Sequence, residues 1–395
     1  MVHSRFSNNN IDKIWQQLVA GGSRFMGTAP EMTALQLIKE CIATSKVNVT
    51  EHQFIYKSWK LFGQPLLKFR NPLKKDIPCE AFINCRATPA GGIRGSIDFI
   101  GFHRVIGAFD WPKFGIKDSQ GKIVGYISGR PDGPAQPQPL DPKSGPLPHF
   151  IIGADDLRQI ETWIDEGVPI EVEGAIECET GEQATGINLI ASFNPAITRK
   201  RICLCAHYDS VYSSPGANDN ASSVAALLAI ADMMTEDHEL PLDLVFFTGE
   251  EWGNLGSRAY IKDLVQNGKD DTIQCVINLD AISEGSDLQV WVGPEMFEQQ
   301  LKRAIDQFEY PEKERVTYYF PPPVSGDHIS FYEAGIPSCM FFGGATEKYH
   351  ISDDTYQPDK VNRILFITEM VWHLTHLLAK QEVSRGTWRT DDIPN

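Results

Sequence analysis

Histidines and carboxylates fall where short apolar runs stop. RICLCA (201–206) ends in His207, Tyr208 and Asp209. DLVFFT (243–248) runs into Gly249, Glu250 and Glu251, and QCVINL (274–279) into Asp280. Asn218, Asp219 and Asn220 stand directly before a helical run, and SCMFF (338–342) leads through a glycine pair to Tyr349 and His350. Each residue alone has an ordinary role: Asp219 or Asn220 as a helix cap, Glu250 and Glu251 as solvated loop charges, His207 as a histidine bonded to a carbonyl. Together they would crowd uncompensated polar groups onto one sheet edge. Divalent cations relieve that crowding. Imidazole nitrogen and carboxylate oxygen are both zinc ligands, one carboxylate can bridge two ions, and paired ions activate a water between them.

The elements that must position these residues are legible in the hydrophobic pattern. After residue 185, strand-like runs at 201–206, 243–248, 274–279, 288–292 and 338–342 alternate with helical runs at 221–234, 257–266, 295–308, 328–334 and 362–378. Apolar strands separated by helices predict a largely parallel sheet covered on both faces, with ligands at the carboxyl ends of its strands. Upstream, helical spacing covers 11–18 and 31–44, with Pro30 where a helix can start, and a strand follows at 48–56. The texture then changes to short β-like runs (96–100, 122–127, 168–172), a helical run at 155–166 and a proline-rich stretch at 130–148 that must be a loop. The expected fold class is α/β: a mostly parallel mixed sheet sandwiched by helices, built from residues 1–60 and 183–395, with a smaller β-rich domain inserted at 61–182.

Composition narrows the partners. The 395 residues carry 36 Lys+Arg against 52 Asp+Glu, a formal charge of −16 that disfavours nucleic acid and anionic membranes. With 42% hydrophobic and 22% charged residues the chain is ordinary globular material. The first residues lack the apolar core of a secretory signal, and no apolar run is long enough to span a bilayer. A cytoplasmic location is therefore expected. The eight cysteines, none in a C-x-x-C pair, read as reduced and packed. Oligomeric state is not legible.

The series HYDS, GANDNASSV, FTGEEWGNLGS, INLDAIS and YHISDDT, in that order across about 185–380, resembles the co-catalytic two-zinc aminopeptidases and glutamate carboxypeptidases of peptidase clan MH. The resemblance implies two zinc ions per chain. His207 and Glu251 would hold one, Asp280 and His350 the other, with Asp219 bridging. Glu250 would be the general base acting on the zinc-activated water, Asp209 would orient His207, and Tyr349 would stabilise the tetrahedral intermediate. Asp354 matches a supporting acidic position. The resemblance also implies a cis peptide between Asp219 and Asn220. The family's Ser-Asp-His is here Ser325, Gly326, Asp327, His328, so Asp327 and His328 are read as pocket wall. His373 and His376 are read as structural, and His103 and His149 receive no role. GKIVGYISG and LPHFIIGADDLRQIETWIDEGVPIEVEG in the insertion resemble the protease-associated module of this family.

The implied activity is hydrolysis of a peptide or small amide, foremost as an aminopeptidase. The alternatives are a carboxypeptidase, for which Arg258 and Arg315 are candidate cations, a specialised small-molecule amide hydrolase, or a glutaminyl cyclase-like acyltransferase working with one zinc. A non-enzymatic relative would be marked by lost ligands, and all five are present.

Overall fold

Leu242–Phe247 is buried at every position, as is Ser338–Phe342. Strands this apolar on both faces need cover on both, and the sequence supplies it in the helices between them. A computed structural model describes residues 8–43, 47–105, 109–234, 239–308 and 315–383. The chain divides into two compact units, Met1–Phe54 with Thr185–Asn395, and Ile55–Ala184.

In chain order the first unit opens with α1 (Asn8–Ala20) and α2 (Ala29–Ile42), and β1 (Asn48–Leu61) runs on into the second unit. There follow β2 (Leu66–Asn71), β3 (Lys75–Ile77), β4 (Cys79–Ala81), β5 (Ile93–Val105), β6 (Phe109–Lys117), β7 (Ile123–Gly129), β8 (His149–Ile152), α3 (Ala154–Asp165) and β9 (Glu171–Ala175). The long β10 (Cys178–Phe193) returns to the first unit. It is followed by β11 (Arg201–His207), α4 (Ser222–Met233), β12 (Leu242–Phe247), α5 (Leu255–Gln266), β13 (Ile273–Asp280), β14 (Leu288–Gly293) and α6 (Glu295–Ile305). The last elements are β15 (Val316–Tyr319), α7 (His328–Glu333), β16 (Ser338–Phe342) and α8 (Val361–Ala379).

The first unit has the expected mixed α/β architecture. Its sheet runs β1-β10-β12-β11-β13-β16-β14-β15. The central strands β12, β11, β13 and β16 are parallel, whereas β10 and β14 flank them antiparallel. Helix α4 is buried from Ser222 to Ala231, and α1 turns Ile11, Ile14, Trp15 and Leu18 into the same core. Thr28 caps α2, accepting from the Glu31 N–H, with Pro30 in the first turn. The helix expected to reach residue 44 ends, among the described residues, at Ile42. No helix among the described residues is long and apolar enough to cross a membrane.

The second unit is a sheet ordered β3-β2-β9-β5-β6-β7-β8-β4, antiparallel except for β7 beside β8. Its strands were harder to read: β2, β3, β4 and the polar start of β10 carry little apolar alternation, and the strand expected at 168–172 lies at Glu171–Ala175. Pro142–Ser144 makes only a short helical turn within the proline-rich loop. The buried His149 meets Ser128 Oγ at 2.8 Å, and the buried His103 meets Ser144 Oγ at 2.8 Å, with Phe82 against both rings.

These two histidines make stability depend on pH. Burial pushes His103 down to about 4, helped by Lys113 and opposed by Asp141, and burial pushes His149 well below its ordinary value. A depressed folded-state pKa means that the unfolded chain takes up protons first. The stability these neutral rings contribute is intact above about 6.5 and is lost as pH falls from there towards 4. Nuclear magnetic resonance titration of the imidazoles should find both rings neutral at about pH 5.5, where a free histidine is mostly protonated; ordinary titration near 6.5 would contradict this.

Candidate metal centre

The site is assembled by strand ends. His207 is the last residue of β11 and Asp280 the last of β13, while Glu250 and Glu251 follow β12 after a Gly249 turn at φ 73°. Because these strands are parallel neighbours, with β11 between β12 and β13, their carboxyl ends open on the same edge. Asp219 lies in the turn Ala217–Ala221 ahead of α4, and His350 lies beyond β16. Two residues here have left-handed backbone without being glycine, Ala281 directly after Asp280 (φ 48°) and His350 itself (φ 62°), a conformation held only where surrounding contacts fix it. The peptide from Asp219 to Asn220 is cis.

The side chains converge on Asp219. Its Oδ1 is 3.1 Å from His207 Nε2, and its Oδ2 is 3.1 Å from His350 Nε2. Asp280 Oδ1 stands 3.7 Å from His207 Nε2, and Glu251 Oε2 3.0 Å from His350 Nε2. The short contacts therefore set His207 beside Asp280 and His350 beside Glu251, which differs from the implied pairing of His207 with Glu251 and Asp280 with His350. The sequence gives ligand types but not which side chains meet: β11 lies between β12 and β13, so both Glu251 and Asp280 arise beside His207, and the side-chain distances separate them. The cluster is tight enough that ligand atoms of His207, Asp219 and Glu251 also lie within 4.8 Å of one another.

The donor set fits divalent cations. His207 Nε2, both carboxylate oxygens of Asp219 and Asp280 Oδ1 are buried without a hydrogen-bond partner, an arrangement that is costly unless a charge compensates it. Burial lifts Asp280, and it lifts Glu251 to about 7. Burial alone would lower His207, but Glu250, Asp209, Asp219 and Asp280 raise it well above the ordinary range. Burial would lower His350 as well, yet Glu251 and Asp219 raise it. Asp219 is held below its usual value: burial opposes this, and the two imidazoles impose it. Imidazole nitrogens and carboxylate oxygens in this ratio suit zinc.

Around these groups lie the remaining residues of interest. Asp209 accepts the backbone N–H groups of Glu250 and Glu251 at 3.4 Å each, and its Oδ1 is 3.5 Å from His207 Nδ1, whose nearest acceptor is the Asp209 carbonyl at 3.2 Å. Glu250 Oε2 is 3.9 Å from His207 Nε2, and burial raises its carboxyl well above the ordinary value. The Tyr349 ring stacks on His350 at 4.0 Å, and burial, then the nearby carboxylates, keep its hydroxyl protonated. Asp354 accepts the N–H groups of Asn218 (2.7 Å) and Asp219 (3.1 Å). Asp327 is fully buried and within the field of His207, Asp209 and Asp280, its carboxyl raised by burial to about 7, while His328 is pushed down to about 3. His376 bonds the Trp372 carbonyl on α8 and His373 packs on Phe308, both away from this cluster. Arg258 pairs with Glu333 at 2.9 Å.

Several supporting residues were not apparent from the sequence. Asn220, read as a possible helix cap, makes no cap to α4; its Nδ2 donates to Leu279 O (2.9 Å) and its Oδ1 accepts from Ala281 N–H (3.2 Å), gripping β13 on both sides of Asp280. Asn218 Oδ1 accepts from Ser283 and Glu284 N–H. Arg24, 1% exposed, donates to the carbonyls of Tyr208 (2.9 Å), Pro215 and Gly216 (2.9 Å). Gly216 must be glycine there: its φ is 61°, and a Cβ would come within 2.2 Å of the Asp219 carbonyl oxygen. Glu31, lifted by burial to about 7, accepts from Gly27 N–H (2.6 Å) and from the Thr248 hydroxyl just ahead of Glu250. The only signal for Arg24 was a lone cation inside GGSRFMG.

Comparison with known proteins agrees with this geometry. Residues 188–375 match the model of peptidase family M28. Aminopeptidase YwaD of Bacillus subtilis is 24% identical over 240 residues, covering 55% of this chain and 50% of that protein; the chain spans about half the length of the curated relatives it matches. The fold is shared with an aminopeptidase from Aneurinibacillus sp. strain AM-1 (TM-score 0.71, 19% identity, 98% of this chain and 97% of that one). It is shared also with BSAP, a zinc aminopeptidase from Bacillus subtilis (TM-score 0.68, 20% identity, 94% and 95%). The matched span encloses every strand end that bears a candidate site residue, and across it the chain is similar to peptidase family M28.

Proposed function

We propose that this protein is an aminopeptidase using two zinc ions, one held by His207 and Asp280, the other by Glu251 and His350, with Asp219 bridging. The observation that carries this reading is the division of Asp219: each carboxylate oxygen faces a different imidazole with its own carboxylate beside it. A single-ion acyltransferase would leave one of those sets uncompensated. Bound zinc supplies Lewis-acid polarisation of the scissile carbonyl and a lowered pKa for water.

The chain's own residues do the rest. Glu250 takes a proton from the attacking water and returns it to the leaving amine; its raised pKa suits both directions. Asp209 holds the His207 ring and the Glu250–Glu251 backbone in register. Tyr349 keeps its proton and donates it as a hydrogen bond to the developing oxyanion. Beside His350, Met340, Phe342, Ala281, Trp291 and Tyr349 form an apolar cluster, which suits an apolar side chain on the substrate. We assign Ile55–Ala184 as a protease-associated-like module, since GKIVGYISG forms β7 and the following motif forms β8 and α3. The test of the function is a screen of aminoacyl amides, N-acyl amino acids and dipeptides with zinc-loaded protein. Turnover of free-amine substrates is expected, and cleavage confined to N-acyl amino acids would replace the aminopeptidase reading with a carboxypeptidase-like one.

Glu250→Gln should retain its metal by elemental analysis while kcat falls about 10²–10⁴-fold. Asp219→Ala should lose bound metal, since both positions share that ligand; the reverse pattern would exchange the two roles. Arg24→Met should lower both the melting temperature and zinc affinity, because it leaves buried carbonyls without donors at about 1–3 kcal/mol each. Calorimetric metal titration and thermal unfolding read the two effects separately, and a variant as stable and as tightly metallated as the parent would remove Arg24 from the supporting structure.

A further inference from the structure

In the second unit, two cysteines that are 93 residues apart in sequence meet. Cys178, the first residue of β10, donates its thiol to the Cys85 carbonyl at 3.4 Å. Each thiol acts on the other's acidity, the Cys85 thiol being raised and the Cys178 thiol lowered. Cys85 is fully buried, whereas Cys178 is half-buried and lines an open cavity of about 360 Å³ walled by Phe62, residues 87–92 and residues 175–177. The Trp59 indole N–H, which donates to the Cys85 carbonyl at 2.9 Å, also faces the Cys178 sulfur. One sulfur thus belongs to a residue that lines the open cavity, and the other to a buried residue whose carbonyl the first contacts.

We propose that Cys178 and Cys85 form a reactive dithiol that takes a hydroperoxide as its substrate and closes to a disulfide. The Cys178 thiolate attacks the terminal peroxide oxygen, the O–O bond breaks, and the alkoxide leaves as alcohol after taking a proton, giving a sulfenic acid on Cys178. The Cys85 sulfur then attacks the Cys178 sulfur, and hydroxide departs with the Cys85 proton as water. In sum, two thiols and one hydroperoxide give one disulfide, one alcohol and one water; the sulfurs are oxidised and the peroxide reduced. The contrast with Cys41 supports the assignment. Both thiols are half-buried, but burial raises Cys41, whereas the Cys85 thiol and Trp59 lower Cys178, and reactivity follows the thiolate.

The test uses the full-length, fully reduced protein with hydrogen peroxide, followed by alkylation and peptide mapping. The expected result is a single 85–178 disulfide, reversed by dithiothreitol, with the other six cysteines still alkylated. Brief iodoacetamide labelling at neutral pH should modify Cys178 about tenfold faster than Cys41. In Cys85→Ser the reaction should stop at a sulfenic acid on Cys178 that dimedone traps. Oxidation of Cys41 ahead of this pair, eight free thiols after peroxide treatment, or no trapped sulfenic acid in Cys85→Ser would each overturn the proposal.

Discussion

Asp209, Asp219, Glu251 and Asp280 are buried together at one edge of a sheet whose central strands are themselves buried. Like charges at such separations repel strongly in a medium that screens poorly, and this repulsion is the constraint the rest of the first unit answers. Two imidazoles divide the bridging carboxylate between them. Asp354 spends its oxygens on backbone N–H groups rather than entering the cluster, so its charge orders the turn that carries Asp219. What the protein groups leave uncompensated is what divalent cations would neutralise.

The N-terminal segment matters for the same reason. Arg24 brings a permanent positive charge beneath the acidic cluster, within the field of Asp354, Asp209, Asp219 and Glu251, yet its donors are occupied by carbonyls. It therefore offsets the field without capturing a ligand carboxylate. Trp15 from α1 adds a bond to the Ala217 carbonyl at 2.7 Å, and Glu31 from α2 reaches Thr248. Residues more than 180 positions earlier in the chain thus brace both loops that carry Asp219 and the Glu250–Glu251 pair, which is why the helices at the start belong to the same unit as the strands that follow the second.

The strand ends and their chemistry were legible in the sequence because each apolar run terminates in the residue that matters, and because a strand buried on both faces has no ambiguous register to hide that end. What was not legible depends on contacts across the sequence. The contact of His207 with Asp280 depends on how side chains from neighbouring strand ends turn, which no local pattern encodes. Asn220 has the composition of a cap, and only the position of Asp280 beside it turns its amide into a clamp. In the second unit the polar alternation of β10 and the three-residue strands β3 and β4 gave periodicity nothing to detect. Strand β15, four residues that are nowhere fully buried, was missed for the same reason.

Charge also bears on which end of a peptide such a site accepts. A terminal carboxylate needs an available cation, yet Arg258 holds Glu333, Lys348 lies 3.7 Å from Glu284, and Arg24 is enclosed by carbonyls. A terminal ammonium instead finds carboxylates in surplus, within a chain whose net charge is −16. Surplus carboxylate at the strand ends is thus charge that divalent cations would neutralise, and it is the wrong sign to receive a further carboxylate.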